Sequence, residues 1–221
     1  MEISALRRLH SRADAKTLNL GLGQPEVDMP EDLREIALEA IGRSGLGYTA
    51  NAGRSDLREL VARHYELETE EVLISHGAQE GLMATLIALV SPGDEILVPD
   101  PGFLAYPKMI SLAGGKAVPY SLRAKKGFCY DPELILSKVT PRTRAVILCS
   151  PNNPCGTMIS AKDQKELLAE LEKRGIFLLC DDVYAELAFR DPYKPASKES
   201  QYAVVINSWS KSLALPGWRI G

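Results

Sequence analysis

Lys211 sits in the segment NSWSKSLALPGWRIG, with serines at 208, 210 and 212 and Arg219 eight residues further on, beyond Pro216-Gly217. Most lysines are solvated surface charges, and on local grounds that reading stays open. An amine that acts as a nucleophile needs desolvation or nearby positive charge to lower its pKa. Hydroxyls and a guanidinium gathered beside it suit an anionic phosphate. Other segments carry residue types that fit around such a group. Ser75-His76-Gly77-Ala78-Gln79 is a small-residue turn opening a helix, where free N–H groups and the helix dipole can cradle a phosphate. A glycine there also serves backbone geometry alone. In PDPGFLAYP, Phe103 and Tyr106 either offer a flat surface to a planar ring or begin a core helix. Asn152-Asn153-Pro154 before Gly156 is a fixed turn that can point an amide inward, or simply a turn. Asp181 either caps a helix or pairs with a protonated ring nitrogen, with Tyr184 placed to hydrogen-bond a ring hydroxyl. Taken jointly they compose one site: phosphate cradle, stacking aromatic, amide, acid with tyrosine, and amine.

These segments share a position, the end of a short apolar run. The runs at 72–75, 95–99, 116–120, 144–150, 176–180 and 203–208 are rich in β-branched or large apolar residues and lack alternation. That pattern predicts strands buried on both faces of a parallel sheet. Helical periodicity is found at 31–41, with Leu33, Ile36, Ala37, Ala40 and Ile41 on one face, and at 54–65, with Leu57, Leu60 and Val61 together and Ser55 or Asp56 able to cap. Further helices are predicted at 78–90, 103–113 and 161–174. Alternating strands and helices give an α/β fold, and such sheets bind ligands at the carboxyl ends of their strands.

Composition narrows the class without naming a chemistry. The chain is 45% hydrophobic, 25% charged and 6% aromatic, with a formal charge of −3. That balance predicts no attraction to nucleic acid or an anionic membrane surface. No apolar run approaches the ~18 residues that span a bilayer. The opening MEISALRRLHSRADAK alternates charged and apolar residues too quickly for a signal peptide. Cys129, Cys149, Cys155 and Cys180 lack metal or disulfide spacing and read as reduced thiols. The expectation is a soluble, cytoplasmic protein with no metal site.

The pattern S-x-S-K-x-x-x-x-P-G-x-R-x-G at 208–221, together with SPNNPCGT and DDVYAEL in the same order and spacing, resembles the class I/II aminotransferases. These are the fold-type I family of pyridoxal-phosphate enzymes, and the likeness runs from about Leu18 onward. The resemblance implies that Lys211 holds pyridoxal 5'-phosphate as a Schiff base and then serves as the base and acid of a 1,3-proton shift. It implies that Asp181 keeps the pyridine nitrogen protonated, making the ring an electron sink. Tyr184 and Asn153 would bond the ring's phenolic oxygen, and Phe103 would stack on the ring. Gly77, Ala78 and Gln79 would hold the phosphate with Ser208, Ser210 and Arg219. Tyr48 would reach the phosphate of the neighbouring subunit in a homodimer, and Gly23 in LGLGQPE would lie beside the substrate carboxylate. His76 receives no role and reads as structural. The implied reaction is ping-pong transfer of an amino group from an amino acid to a 2-oxo acid.

The resemblance also implies a three-layer α/β/α large domain with a mostly parallel sheet over 25–221, and an N-terminal arm and small-domain segment over 1–24. Relative to the family pattern, the sequence stops before the last sheet strand and the C-terminal small domain. The arginine that grips the substrate carboxylate would lie there. The absent strand would pair with 72–75, so the 221-residue chain is expected to fold poorly and transaminate weakly or not at all. GWRIG and LGLGQPE favour amino-acid aminotransferases using aspartate, alanine or aromatic donors over the histidinol-phosphate branch. The alternatives are a carbon–sulfur β-lyase on the same scaffold, a non-catalytic cofactor-binding remnant, or the sensor half of a transcription regulator. The last needs an N-terminal DNA-binding domain, for which a match beginning near Leu18 leaves no room.

Overall fold

Parallel strands cannot be joined by tight hairpins, so each apolar run must be followed by a crossover before the next can pair with it. In the computed structural model the crossovers after the runs 95–99 and 144–150 carry helices predicted from the sequence, whereas the helix at Pro132–Leu136, after the run 116–120, was not predicted. The model describes residues 9, 11–14, 16–18, 23, 25, 27–43, 47–189, 195–196 and 199–221. Most of the arm expected over 1–24 lies outside the described residues, although Gly23 lies within them. The strands are β1 (Glu95–Asp100), β2 (Lys116–Ser121), β3 (Thr143–Cys149), β4 (Phe177–Asp181) and β5 (Ala203–Ile206), in the order β2-β1-β3-β4-β5, all parallel. The helices are α1 (Glu31–Arg43), α2 (Ser55–Tyr65), α3 (Ala78–Leu89), α4 (Tyr106–Leu112), α5 (Pro132–Leu136), α6 (Ala161–Glu172) and α7 (Trp209–Ser212).

Strand side chains alternate between two cores. On one face Leu97, Val146, Leu148, Leu178 and Cys180 pack with Ile135 of α5 and Leu167, Leu168 and Leu171 of α6. On the other Ile96, Val98, Ala145, Ile147, Cys149 and Leu179 pack with Leu82 and Leu86 of α3 and Tyr106, Met109 and Ile110 of α4. Local signals set the ends of α6. The Ser160 hydroxyl accepts the Asp163 N–H at 3.0 Å, capping the start. Past its end Gly175 turns at φ +67, a backbone that glycine adopts without penalty.

Several elements differ from their sequence expectation. β2 is an edge strand with partly exposed side chains, because the crossover order leaves it one neighbour. The run 72–75 is extended but joins no sheet among the described residues. Its Ile74 N–H bonds Ala52 O, while Ser75 and Gly221 exchange two bonds, at 2.7 and 3.0 Å. The predicted face of α1 is not buried: Leu33 and Ala37 are partly covered while Ile36, Ala40 and Ile41 are exposed, since no described element packs across them. The helix expected over 103–113 begins at Tyr106, after a loop that carries Phe103. At α2, Arg54 rather than Ser55 holds the N-cap position, and the Asp56 carboxylate accepts the Leu57 N–H at 2.9 Å.

Among the described residues no helix is long and apolar enough to cross a membrane. Leu148 of β3 is 0% exposed, whereas Leu112 at the end of α4 is 78% exposed. Leu148→Ala should therefore lower unfolding free energy by about 2–5 kcal/mol. Leu112→Ala should change it by no more than about 0.5 kcal/mol, with denaturant titration as the measurement.

Candidate active site

Connections from β1 run to β2 on one side, while β3, β4 and β5 continue on the other. That divergence opens a crevice at the carboxyl ends of β1 and β3. Phe103 follows β1, Asn153 follows β3, Asp181 ends β4, and α7 with Lys211 follows β5.

Asp181 lies two residues beyond Leu179, so side-chain alternation turns it toward the face that α3 and α4 cover. There the Tyr106 hydroxyl donates to its Oδ2 at 2.5 Å. Oδ1 is buried and has no hydrogen-bond partner among the described residues. Burial pushes the Asp181 carboxyl above the ordinary carboxylate range, while the Tyr106 hydroxyl and the Val183 N–H pull it back. A buried acceptor left open costs free energy unless a donor fills it. A protonated ring nitrogen is such a donor.

Beside it the Asn153 amide donates to the Tyr184 hydroxyl at 3.3 Å. Burial pushes the Tyr184 phenol up to about 12, so it stays protonated at neutral pH and acts as a neutral donor or acceptor. The Lys211 ammonium lies 5.8 Å from the Tyr184 ring centroid and donates to the Gly23 carbonyl. Desolvation lowers the lysine pKa, the direction a nucleophilic amine needs. The phenol of Tyr184 is also 3.7 Å from where a Cβ on Gly23 would stand, so the Gly23 backbone closes over tyrosine and lysine together.

The candidate anion cradle lies at the start of α3. Gly77 occupies the N-cap with φ +82 and no side-chain cap, leaving the first-turn N–H groups of Ala78 and Gln79 without intrahelical acceptors. The Arg219 guanidinium presses directly on Gly77, where a Cβ would stand 2.2 Å from Nη2 and 2.8 Å from Cζ. It is held by the Pro216 carbonyl at 2.7 Å and the His76 carbonyl at 3.3 Å. Arg219 itself has φ +54, an unusual backbone for a side-chain-bearing residue that occurs here at a site. Behind the cradle Gly221 packs so closely that a Cβ on it would stand 2.7 Å from the Ala78 nitrogen.

The sequence-predicted residues thus fall into linked groups: Asp181 with the Phe103 loop through Tyr106, Asn153 with Tyr184, Lys211 with Gly23, and Gly77 with Arg219. Ser208 and Ser210 flank Lys211 and are buried. Gln79 is exposed on the outer turn of the cradle, and Tyr48 is fully exposed. The His76 ring pairs with Glu80 at 2.8 Å outside the cradle, and its carbonyl orients Arg219. Sequence reasoning gave Tyr106 no part beyond a possible flat surface. A turn closed by the Tyr106 N–H on the Phe103 carbonyl at 3.2 Å brings the two rings together, and the two aromatics of PDPGFLAYP were the signal available in the sequence. Gly221 was also missed as a packing position.

At its strand ends this parallel α/β sheet brings together a desolvated lysine, a buried carboxylate with one open oxygen and an arginine-backed helix N-terminus. The chain belongs to the aminotransferase class I and II family, whose model matches residues 15–221. It is 33% identical over 228 residues to an aspartate aminotransferase of Pyrococcus horikoshii, covering 99% of this chain and 58% of that protein. It is 32% identical over 215 residues to a probable aspartate/prephenate aminotransferase of Aquifex aeolicus, covering 92% and 55%. The crystal structure of an aspartate aminotransferase from Thermotoga maritima superposes with a TM-score of 0.91 at 29% identity, covering 100% of this chain and 63% of that one. The chain therefore spans a little over half the length of the curated relatives it matches.

Gly77→Ala would place a methyl group against the guanidinium and strain a backbone at φ +82. Its affinity for inorganic phosphate should fall by about tenfold or more, equivalent to about 1.4 kcal/mol. Phosphorus NMR titration beside the parent protein measures this.

Proposed function

We propose that the site binds pyridoxal 5'-phosphate on Lys211 and serves transfer of an amino group from an amino acid to a 2-oxo acid. The observation that carries this reading is the open Oδ1 of Asp181, a buried acceptor at the end of β4 with no hydrogen-bond partner among the described residues. The residues present fit the cofactor. Gly77, Ala78 and Gln79 with Ser208, Ser210 and Arg219 would hold its phosphate, Asp181 its ring nitrogen, Asn153 and Tyr184 its phenolic oxygen, and Phe103 one ring face. When bound, pyridoxal phosphate supplies a carbonyl carbon for an amine and a protonated ring that accepts electron density from a substrate Cα–H bond.

The side chains do the rest. Lys211, its pKa lowered by desolvation, is the amine that bonds the cofactor and, once released, the base that carries a proton on Nζ. Asp181 stays ionised opposite a cationic donor, because an opposite charge favours the carboxylate over its neutral form. Tyr184, protonated and bonded to Asn153, sets a hydrogen bond at the phenolic oxygen without adding charge. The Gly23 carbonyl holds the lysine ammonium beside the place where a substrate carboxylate would lie.

Residues 25–221 would form the cofactor domain, with 1–24 as an arm and small-domain segment. Exposed Tyr48 would reach the phosphate of a second copy, making a homodimer with shared sites. Aspartate is the first amino donor to test, since the relatives' names carry it. The balance of charge favours neither nucleic acid nor a membrane surface, and a cytoplasmic location fits it.

Adding pyridoxal phosphate should produce a visible absorption band, and borohydride should leave the reduced cofactor on Lys211 by peptide mass mapping. Lys211→Ala should abolish both, and label found on any other lysine would overturn the assignment. The capture rate should rise with pH through a midpoint below the ordinary lysine value of 10.5, because only the neutral amine attacks. Product analysis with aspartate and a 2-oxo acid then tests the transfer.

A further inference from the structure

We infer that Tyr106 is a positioning residue for the cofactor site, setting both the rotation of Asp181 and the seat of Phe103. Its hydroxyl donates to Oδ2 of Asp181 at 2.5 Å across 75 residues of sequence, which leaves Oδ1 as the carboxylate oxygen open to a ligand. Its ring meets Phe103 edge to face, with centroids 5.4 Å apart and planes at 82°. Such a contact is directional, so the tilt of one ring constrains the other. Tyr106 is 1% exposed and anchored at the first turn of α4 among Met109, Ile110 and Cys149, which restricts its ring. The inference rests on the cofactor reading above, and it adds the residue that joins the carboxylate wall to the aromatic wall.

A hydroxyl in this place also favours the charged form of the carboxyl. Burial raises the Asp181 carboxyl, and the Tyr106 hydroxyl is the first influence that opposes it. The phenol cannot compete for the negative charge, because burial and the neighbouring carboxylate push its own pKa well above the ordinary tyrosine value. The other titratable groups around the carboxylate are the Cys149 thiol on β3 and the Tyr184 phenol, both pushed up to about 12 by burial. Neither carries charge at neutral pH. Tyr106 therefore shifts Asp181 toward its charged form, against the effect of burial.

The test compares Tyr106→Phe with Tyr120→Phe in the 221-residue chain. Tyr120 is equally buried, but its hydroxyl donates to the Ile147 carbonyl at 2.8 Å and is not bonded to Asp181. The first readout needs no cofactor: carbon-13 NMR of the aspartate carboxyls across pH, with Asp181 assigned from Asp181→Asn. Tyr106→Phe should raise the Asp181 midpoint by about one to two units, the loss of one hydrogen bond to a charged acceptor, and Tyr120→Phe should leave it in place. The second readout is the absorption of bound pyridoxal phosphate against pH, which should move in Tyr106→Phe and not in Tyr120→Phe. An unmoved Asp181 midpoint, or equal shifts in both variants, overturns the role of Tyr106. A moved midpoint with an unmoved cofactor spectrum overturns its connection to the cofactor. Failure of the parent chain to capture pyridoxal phosphate, with the Asp181 shift intact, overturns the proposed function and leaves the Tyr106–Asp181 coupling standing.

Discussion

Every strand of the sheet runs in one direction, and this constraint arranges everything else. Parallel pairing forces each strand to be followed by a crossover, so the loops leaving β1, β3, β4 and β5 all open on one edge. Every side chain grouped in the site is carried there by a loop or helix at that edge or by the chain folded against it. An antiparallel arrangement of the same segments would send alternate loops to opposite edges and disperse the lysine, the carboxylate and the amide. The right residues in the right order make a site only because the hydrogen-bonding direction never reverses.

Within that frame the charges are placed by depth. Asp181 is set on the floor, where burial makes a bare carboxylate costly, and one of its two oxygens is satisfied from within the protein. Arg219 lies at the rim, exposed, its guanidinium braced by two carbonyls and pressed on a glycine. Lys211 lies between the two depths. A ligand with an anionic end and a cationic nitrogen would complement both levels at once, whereas inverting it would set like charges together. For such a ligand, orientation would follow from burial more than from a large number of contacts.

Much of this was legible in the chain. The runs 95–99, 144–150 and 176–180 became β1, β3 and β4 because β-branched and apolar residues without alternation fit a strand covered on both faces. The same reasoning overstated the burial of β2, since edge or centre is decided by crossover order, which no local pattern encodes. It made a strand of 72–75, whose composition suits one but whose bonds go to Ala52 and Gly221 instead. The apolar stripe of α1 was read correctly as a stripe; periodicity says what a face is made of, and packing alone says whether it is covered. Tyr106 escaped because its meaning depends on Asp181. A pairing across 75 residues becomes visible only when α4 has been laid over the face to which β4 turns its last side chain.

The distances in sequence between partners at the site have a kinetic reading. Asn153 and Tyr184 are 31 residues apart and Tyr106 and Asp181 are 75, whereas Arg219 and His76 are 143 apart and Lys211 and Gly23 are 188. Closing longer loops costs more chain entropy, and long-range contacts slow folding. A chain emerging from the ribosome would therefore assemble its ring-facing wall while the amine and its guanidinium were still being translated. The turn at Gly77 would wait until residue 219 was made for its guanidinium. Lys211 would follow the floor and walls around it, and Arg219 would follow Lys211.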